Sequence, residues 1–200
     1  MLQTQARRWD ALLPALIREF RASYLPPLMV YVAAGIAGLT GIVGTFFIKE
    51  YLNLSAAFLA TIGFWAGIPW ALKMPMGHLV DLLWPYKAWL VVLGASLIGA
   101  SLSIMIGLIG HPQAMATWMP ATWWYVLAAL LSPVGYMVQD TVADAMTVEA
   151  VPRVDENGQM IDPATRKRMN TTMQTLGRVA IIGGGVAVSG LNVWLFAGTE

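Results

Sequence analysis

The sequence predicts an all-α polytopic membrane bundle of about five transmembrane helices, preceded by an amphipathic interfacial helix. Three observations predict it. Hydrophobic residues make up 58% of the 200-residue chain and charged residues 12%, where soluble domains carry roughly 45–50% and 25%; mean hydropathy is +0.63. The charges are segregated, with none between Arg21 and Lys49, Glu50 and Lys73, Lys87 and Asp140, or Arg178 and Glu200. Those runs hold 27, 22, 52 and 21 residues. Each is long enough for one bilayer crossing of about 20 residues, and the third for two. Basic residues, finally, cluster in alternate connections. A soluble fold, a DNA-binding module and a disordered chain are excluded at this step.

The first element is expected over about residues 5–23, within a cytoplasmic segment 1–25. Trp9, Leu12, Leu13, Leu16, Ile17 and Phe20 share one face, and four arginines lie elsewhere. This is the pattern of a helix lying in the membrane interface. Pro26-Pro27 ends it before the bundle, residues 26–200. Crossings follow over about 28–48 and 54–72. The 52-residue run is interrupted by His111-Pro112-Gln113 and Pro120, which splits it into crossings at about 88–109 and 121–147. The fifth occupies about 174–197. Between the last two, Glu156-Asn157-Gly158 is a turn signal for a small hairpin.

Orientation follows from the basic residues. Arg7, Arg8, Arg18, Arg21, Lys73, Lys87, Arg153, Arg166, Lys167, Arg168 and Arg178 fall on one side, and Lys49 alone on the other. The expectation is a bacterial cytoplasmic membrane, with the N-terminus cytoplasmic and the C-terminus outside. Trp118, Trp123, Trp124 and Trp194 then fall at the outer interface, and Trp70, Trp84 and Trp89 at the inner one. Arg166, Lys167 and Arg168 are placed at the lipid headgroups or at the start of the fifth helix.

Small residues predict how the helices pack, because lipid offers no hydrophobic drive for helix association. Ala33, Ala37, Gly41 and Thr45 form an i, i+4 stripe on the first crossing. Ala95, Gly99, Ser103 and Gly107 form one on the third. Gly183-Gly184-Gly185 lies within the fifth and is a candidate bend.

The composition restricts the chemistry. There is no cysteine, and the two histidines, His78 and His111, lie outside the expected crossings. No thiolate, disulfide, haem or di-metal site can be assembled within the spans, so no cofactor is expected. No nucleophile–base pair or metal-ligand set is visible, so no enzyme is expected either. A net charge of +1 offers no pull on nucleic acid.

Polar residues inside the spans are the functional candidates. Asp140 and Asp144 are four apart, on one face of the fourth helix. Counted from Ala121 at about 1.5 Å per residue, Asp140 lies roughly 28 Å along, at the cytoplasmic edge. Arg178, one turn into the fifth helix from the same side, is the expected partner. The three make either an ion pair fixing two helices or a gating or proton-coupling site. Thr40, Tyr136, Gln139 and Asn192 are candidate cavity residues that can equally bond neighbouring helices. In the short connection after the second crossing, Gly77 permits a tight turn, and Asp81 and then Lys87 follow it.

Two motifs carry a resemblance. The G-x-L-x-D element of Gly77, Leu79 and Asp81 resembles the loop signature of major facilitator superfamily transporters. Lys73, Pro75, Gly77 and Asp81, taken with Val142, Ala143, Asp144, Ala145, Val148 and Glu149, resemble the folate–biopterin transporter branch. The resemblance covers about residues 28–197. It implies a bundle whose first and fourth helices line a central cavity. Gly77, Asp81 and Lys87 would form a conformational latch, and Asp140 and Asp144 the cytoplasmic gate. Such a transporter has two six-helix halves, whereas five crossings are expected here, with one basic residue after the loop aspartate where the family carries several.

Two functions are therefore expected as alternatives. One is a facilitator-type carrier of a pterin- or folate-like solute, present as an incomplete half. The other is a non-transporting accessory or assembly subunit derived from such a carrier, packed in a larger membrane complex such as a photosynthetic one. The expected partners are the lipid bilayer and either other membrane subunits or the missing half.

Overall fold

A computed structural model describes residues 20–36, 52–155 and 157–196. These residues form an all-α structure of seven helices: α1 (Ala22–Ile36), α2 (Ala56–Ala71), α3 (Lys73–Leu82), α4 (Lys87–Gly110), α5 (Pro112–Ala116), α6 (Ala121–Ala150) and α7 (Pro163–Phe196). Most of the expected amphipathic helix lies outside the described residues. So do Thr40, Ala37, Gly41, Thr45 and the side chain of Asn192.

The segment Trp84–Gly110 (mean hydropathy 2.2) and α6 (1.3) are long and apolar enough to cross a membrane. The pair α2 and α3 qualifies as a third if the two count as one bent span. Two or three membrane-length helices are thus established among the described residues. Of the most apolar stretch of the Trp84–Gly110 segment only 17% is buried among the described residues.

Several boundaries differ from expectation. Pro26 and Pro27 do not separate two helices. They lie inside α1, in the first α-helical turn from Leu25 that follows its opening 3-10 turn Ala22–Tyr24, where missing N–H groups cost little. The connection after α2 is not a loop but the ten-residue helix α3, bent 42° from α2. Pro69 removes a donor from the last turn of α2, and Pro75 has no N–H to give the Ala71 carbonyl, so the ladder cannot run on through this point. The helix therefore breaks at Leu72 and restarts at Lys73. Helix α7 begins at Pro163, eleven residues before the expected fifth crossing. Gly183, Gly184 and Gly185 lie within it.

The chain divides into two compact units, Met1–Ile36 with Met146–Glu200, and Ala37–Ala145. In the first, Tyr24, Val151, Met169 and Met173 form a buried cluster, and the Ser23 hydroxyl donates to the Ala150 carbonyl at 3.0 Å. Helices α1 and α7 touch backbone to backbone: Gly35 lies against the Ile181 carbonyl, Gly184 against that of Val32, and the Tyr31 ring covers Gly177. The expected hairpin is present as an antiparallel bridge between Val154 and Met160. Its turn uses Gly158 at φ 77°, a left-handed conformation that glycine adopts without strain.

In the second unit, Ile62, Leu108 and Tyr125 form the buried cluster. Helices α4 and α6 run antiparallel, with Gly94 against Gly135 and the Ser101 hydroxyl donating to the Ala128 carbonyl at 2.7 Å. The buried positions of α4 are Gly94, Ser101 and Leu108, seven residues apart. The expected stripe is on another face. Ala95, Gly99 and Ser103 are exposed, and Ser103 bonds back to the Gly99 carbonyl.

Candidate ion-pair site

Asp140 and Asp144 lie one turn apart on α6, and both pair with Lys73. The Lys73 ammonium donates to Asp140 Oδ2 at 2.5 Å and to Asp144 Oδ2 at 2.7 Å. Local structure explains the arrangement. The i, i+4 spacing aligns the carboxylates on one face of α6, and the break at Leu72 makes Lys73 the first residue of α3. The side chains of Lys73, Asp140 and Asp144 are 34%, 20% and 50% exposed. The cluster thus runs from a shielded carboxylate to one open to solvent.

Sequence reasoning missed Lys73 as the partner, although a signal was present. Lys73 is the first charge after one 22-residue apolar run, and Asp140 the first after the 52-residue run. The same depth argument that selected Arg178 applies to Lys73. Arg178 lies on α7, in the other unit, and is exposed.

The remaining candidates scatter. Gly77 lies mid-helix in α3 with nothing within 4 Å of a would-be Cβ, so no tight turn depends on it. Asp81 is exposed in the last turn of α3. Lys87 opens α4, with its ammonium 4.4 Å from the centroid of the Trp84 ring, a cation–π contact. Tyr136 is half-buried on α6. Gln139 is buried and donates from Nε2 to the Val91 carbonyl at 3.1 Å. It holds α6 to α4, the second of the two roles open to it. Among the described residues no group of three or more His, Asp or Glu side chains is placed to hold a metal ion.

Formally the cluster carries one positive and two negative charges. It can exchange the tethered ammonium for another cation. Loss of the ammonium would leave two like charges one turn apart, which repel. No family model, curated protein or solved structure matches the chain.

Proposed function

We propose that this chain is an integral membrane protein with five crossings, equivalent to an incomplete half of a facilitator-type carrier for a pterin- or folate-like solute. Lys73, Asp140 and Asp144 are its cytoplasmic-side gate. The observation that carries this reading is the ion pair between Lys73 and Asp144. These residues belong to the two separate motifs on which the transporter resemblance rests, and they are 71 positions apart. The two motifs therefore meet in one charge cluster, between the first residue of α3 and one face of α6; ionisable groups on membrane-length helices are costly and mark function. A carrier also needs a second bundle, from further sequence or another copy.

Uptake of radiolabelled folate and pterin into cells expressing the protein, beside vector controls, tests the reading. Uptake above control that falls at least tenfold in D144N, with membrane insertion unchanged, is the expected result. No uptake, or full uptake by D144N, overturns it. A second reading, an accessory subunit, is favoured by the exposed small-residue face Ala95, Gly99 and Ser103 on α4, which suits close approach of a further helix. Stoichiometric co-purification with other membrane subunits, without uptake, would identify that case.

A further inference from the structure

At the start of α7, within the first unit, lies an open groove of about 540 Å³. Met160 and Ile161, from the end of the hairpin, supply an apolar side; Asp162, Arg166, Lys167 and Asn170 supply a polar one. Arg166 and Asn170 are four apart and half-buried, on one face of α7, while Lys167 is exposed beside them.

We propose that this groove binds a phosphate ester, held by Arg166, Lys167 and Asn170. The helix N-terminus is not what attracts the anion. Asp162 Oδ1 already accepts the N–H groups of Ala164 and Thr165, both at 3.0 Å, so those donors are committed and the carboxylate is tied back. Side chains make the site. A guanidinium presents a planar fork matched to phosphate oxygens, and an ammonium adds a compact point charge. The Asn170 amide adds a neutral donor. The apolar side argues for an ester over a bare inorganic ion, because Met160, 75% exposed, offers a surface for carbon and none for charge. The volume falls within the range of small-molecule sites, about 300–1,000 Å³. Two sources share this chemistry, the headgroup of an anionic lipid and a soluble phosphate ester. The inference does not depend on the ion-pair site, which lies in the other unit.

Calorimetric titration of the detergent-purified protein separates the sources. Glycerol 3-phosphate probes the soluble one, and phosphatidylglycerol in mixed micelles, beside phosphatidylcholine, probes the lipid one. Saturable binding of either probe, weakened tenfold or more in R166Q/K167Q and by rising salt, is the expected result. Whichever probe binds identifies the source. Binding of neither, equal response to phosphatidylcholine, or a loss under threefold in the double variant overturns the proposal. The single exposed substitution K167Q provides the comparison if the double variant does not fold.

Discussion

Gly94 of α4 and Gly135 of α6 leave each other no room for a side chain. A Cβ on Gly94 would stand 2.7 Å from the Gly135 carbonyl oxygen, and one on Gly135 would stand 2.6 Å from the Gly94 carbonyl oxygen. Both obstacles are backbone, which cannot rotate away. G94A and G135A should each destabilise the protein by about 1–3 kcal/mol, as overpacking does. At Gly99 nothing lies within 4 Å of a would-be Cβ, so G99A should be neutral or stabilising by up to about 1 kcal/mol. Thermal melts of the three purified variants check both halves. A melting temperature for G135A at or above wild type would refute the packing argument.

That contrast also locates what was legible in the sequence. Charge-free runs fixed by proline and histidine interruptions predicted crossings at 88–109 and 121–147, and the helices span Lys87–Gly110 and Ala121–Ala150. The contact face of α4 was not legible. Gly94 and Ser101 lie on one stripe of small residues; Ala95, Gly99 and Ser103 lie on another. Helical periodicity finds both and cannot choose between them, because the choice depends on what α6 presents, here Gly135 and the Gln139 side chain. Likewise α3 was hidden by its polar composition and by Gly77, read as a turn. For the ion pair, the i, i+4 spacing placed both carboxylates on one face of α6, but the sequence left several cations at similar expected depth. Only the 42° break that makes Lys73 the first residue of α3 selects it.

Removing that cation has a calculable consequence. K73M removes the ammonium that bridges two partly shielded carboxylates one turn apart, and should destabilise the second unit by about 1–2 kcal/mol. Breaking a fully buried pair would cost more, but solvent reaches all three side chains. In double-mutant cycles Lys73 should couple more strongly to Asp140, the less exposed partner, than to Asp144. Chemical or thermal unfolding of K73M, D140N, D144N and the two double variants measures this. A larger coupling to Asp144 would reverse the ranking.

Asp162 makes the junction between hairpin and α7 sensitive to acid. The Thr165 side chain, then the backbone N–H groups of Thr165 and Ala164, hold its carboxyl below the ordinary value of 3.8. A carboxyl whose folded-state value is depressed contributes stability above its unfolded value and loses it as pH falls through the folded one. The cap is therefore intact at neutral pH and weakens only below about pH 4. Amide resonances of Ala164 and Thr165 should titrate with a midpoint under 3.8, and D162N should abolish the titration while keeping a capping oxygen. A midpoint at or above 3.8 would contradict the assigned bonds.

The absence of cysteine from the sequence makes orientation directly measurable by single-cysteine labelling. Helix α4 has 24 residues and α6 has 30, about 36 and 45 Å at 1.5 Å per residue, against a hydrocarbon core of about 30 Å. Each can span it with turns to spare. His78, before α4, and Asn157, after α6, then lie on one side of the membrane, and Gln113, between the two helices, on the other. All three side chains are exposed, so none should resist substitution. The proposed orientation, which rests on the excess of Lys and Arg in the connections before α4 and after α6, would put His78 and Asn157 in the cytoplasm. In intact cells a membrane-impermeant maleimide should therefore label Q113C, and should label H78C and N157C only after permeabilisation. Labelling of all three in intact cells would place the two helices outside the bilayer, and the inverse pattern would reverse the topology on which the proposed cytoplasmic gate depends.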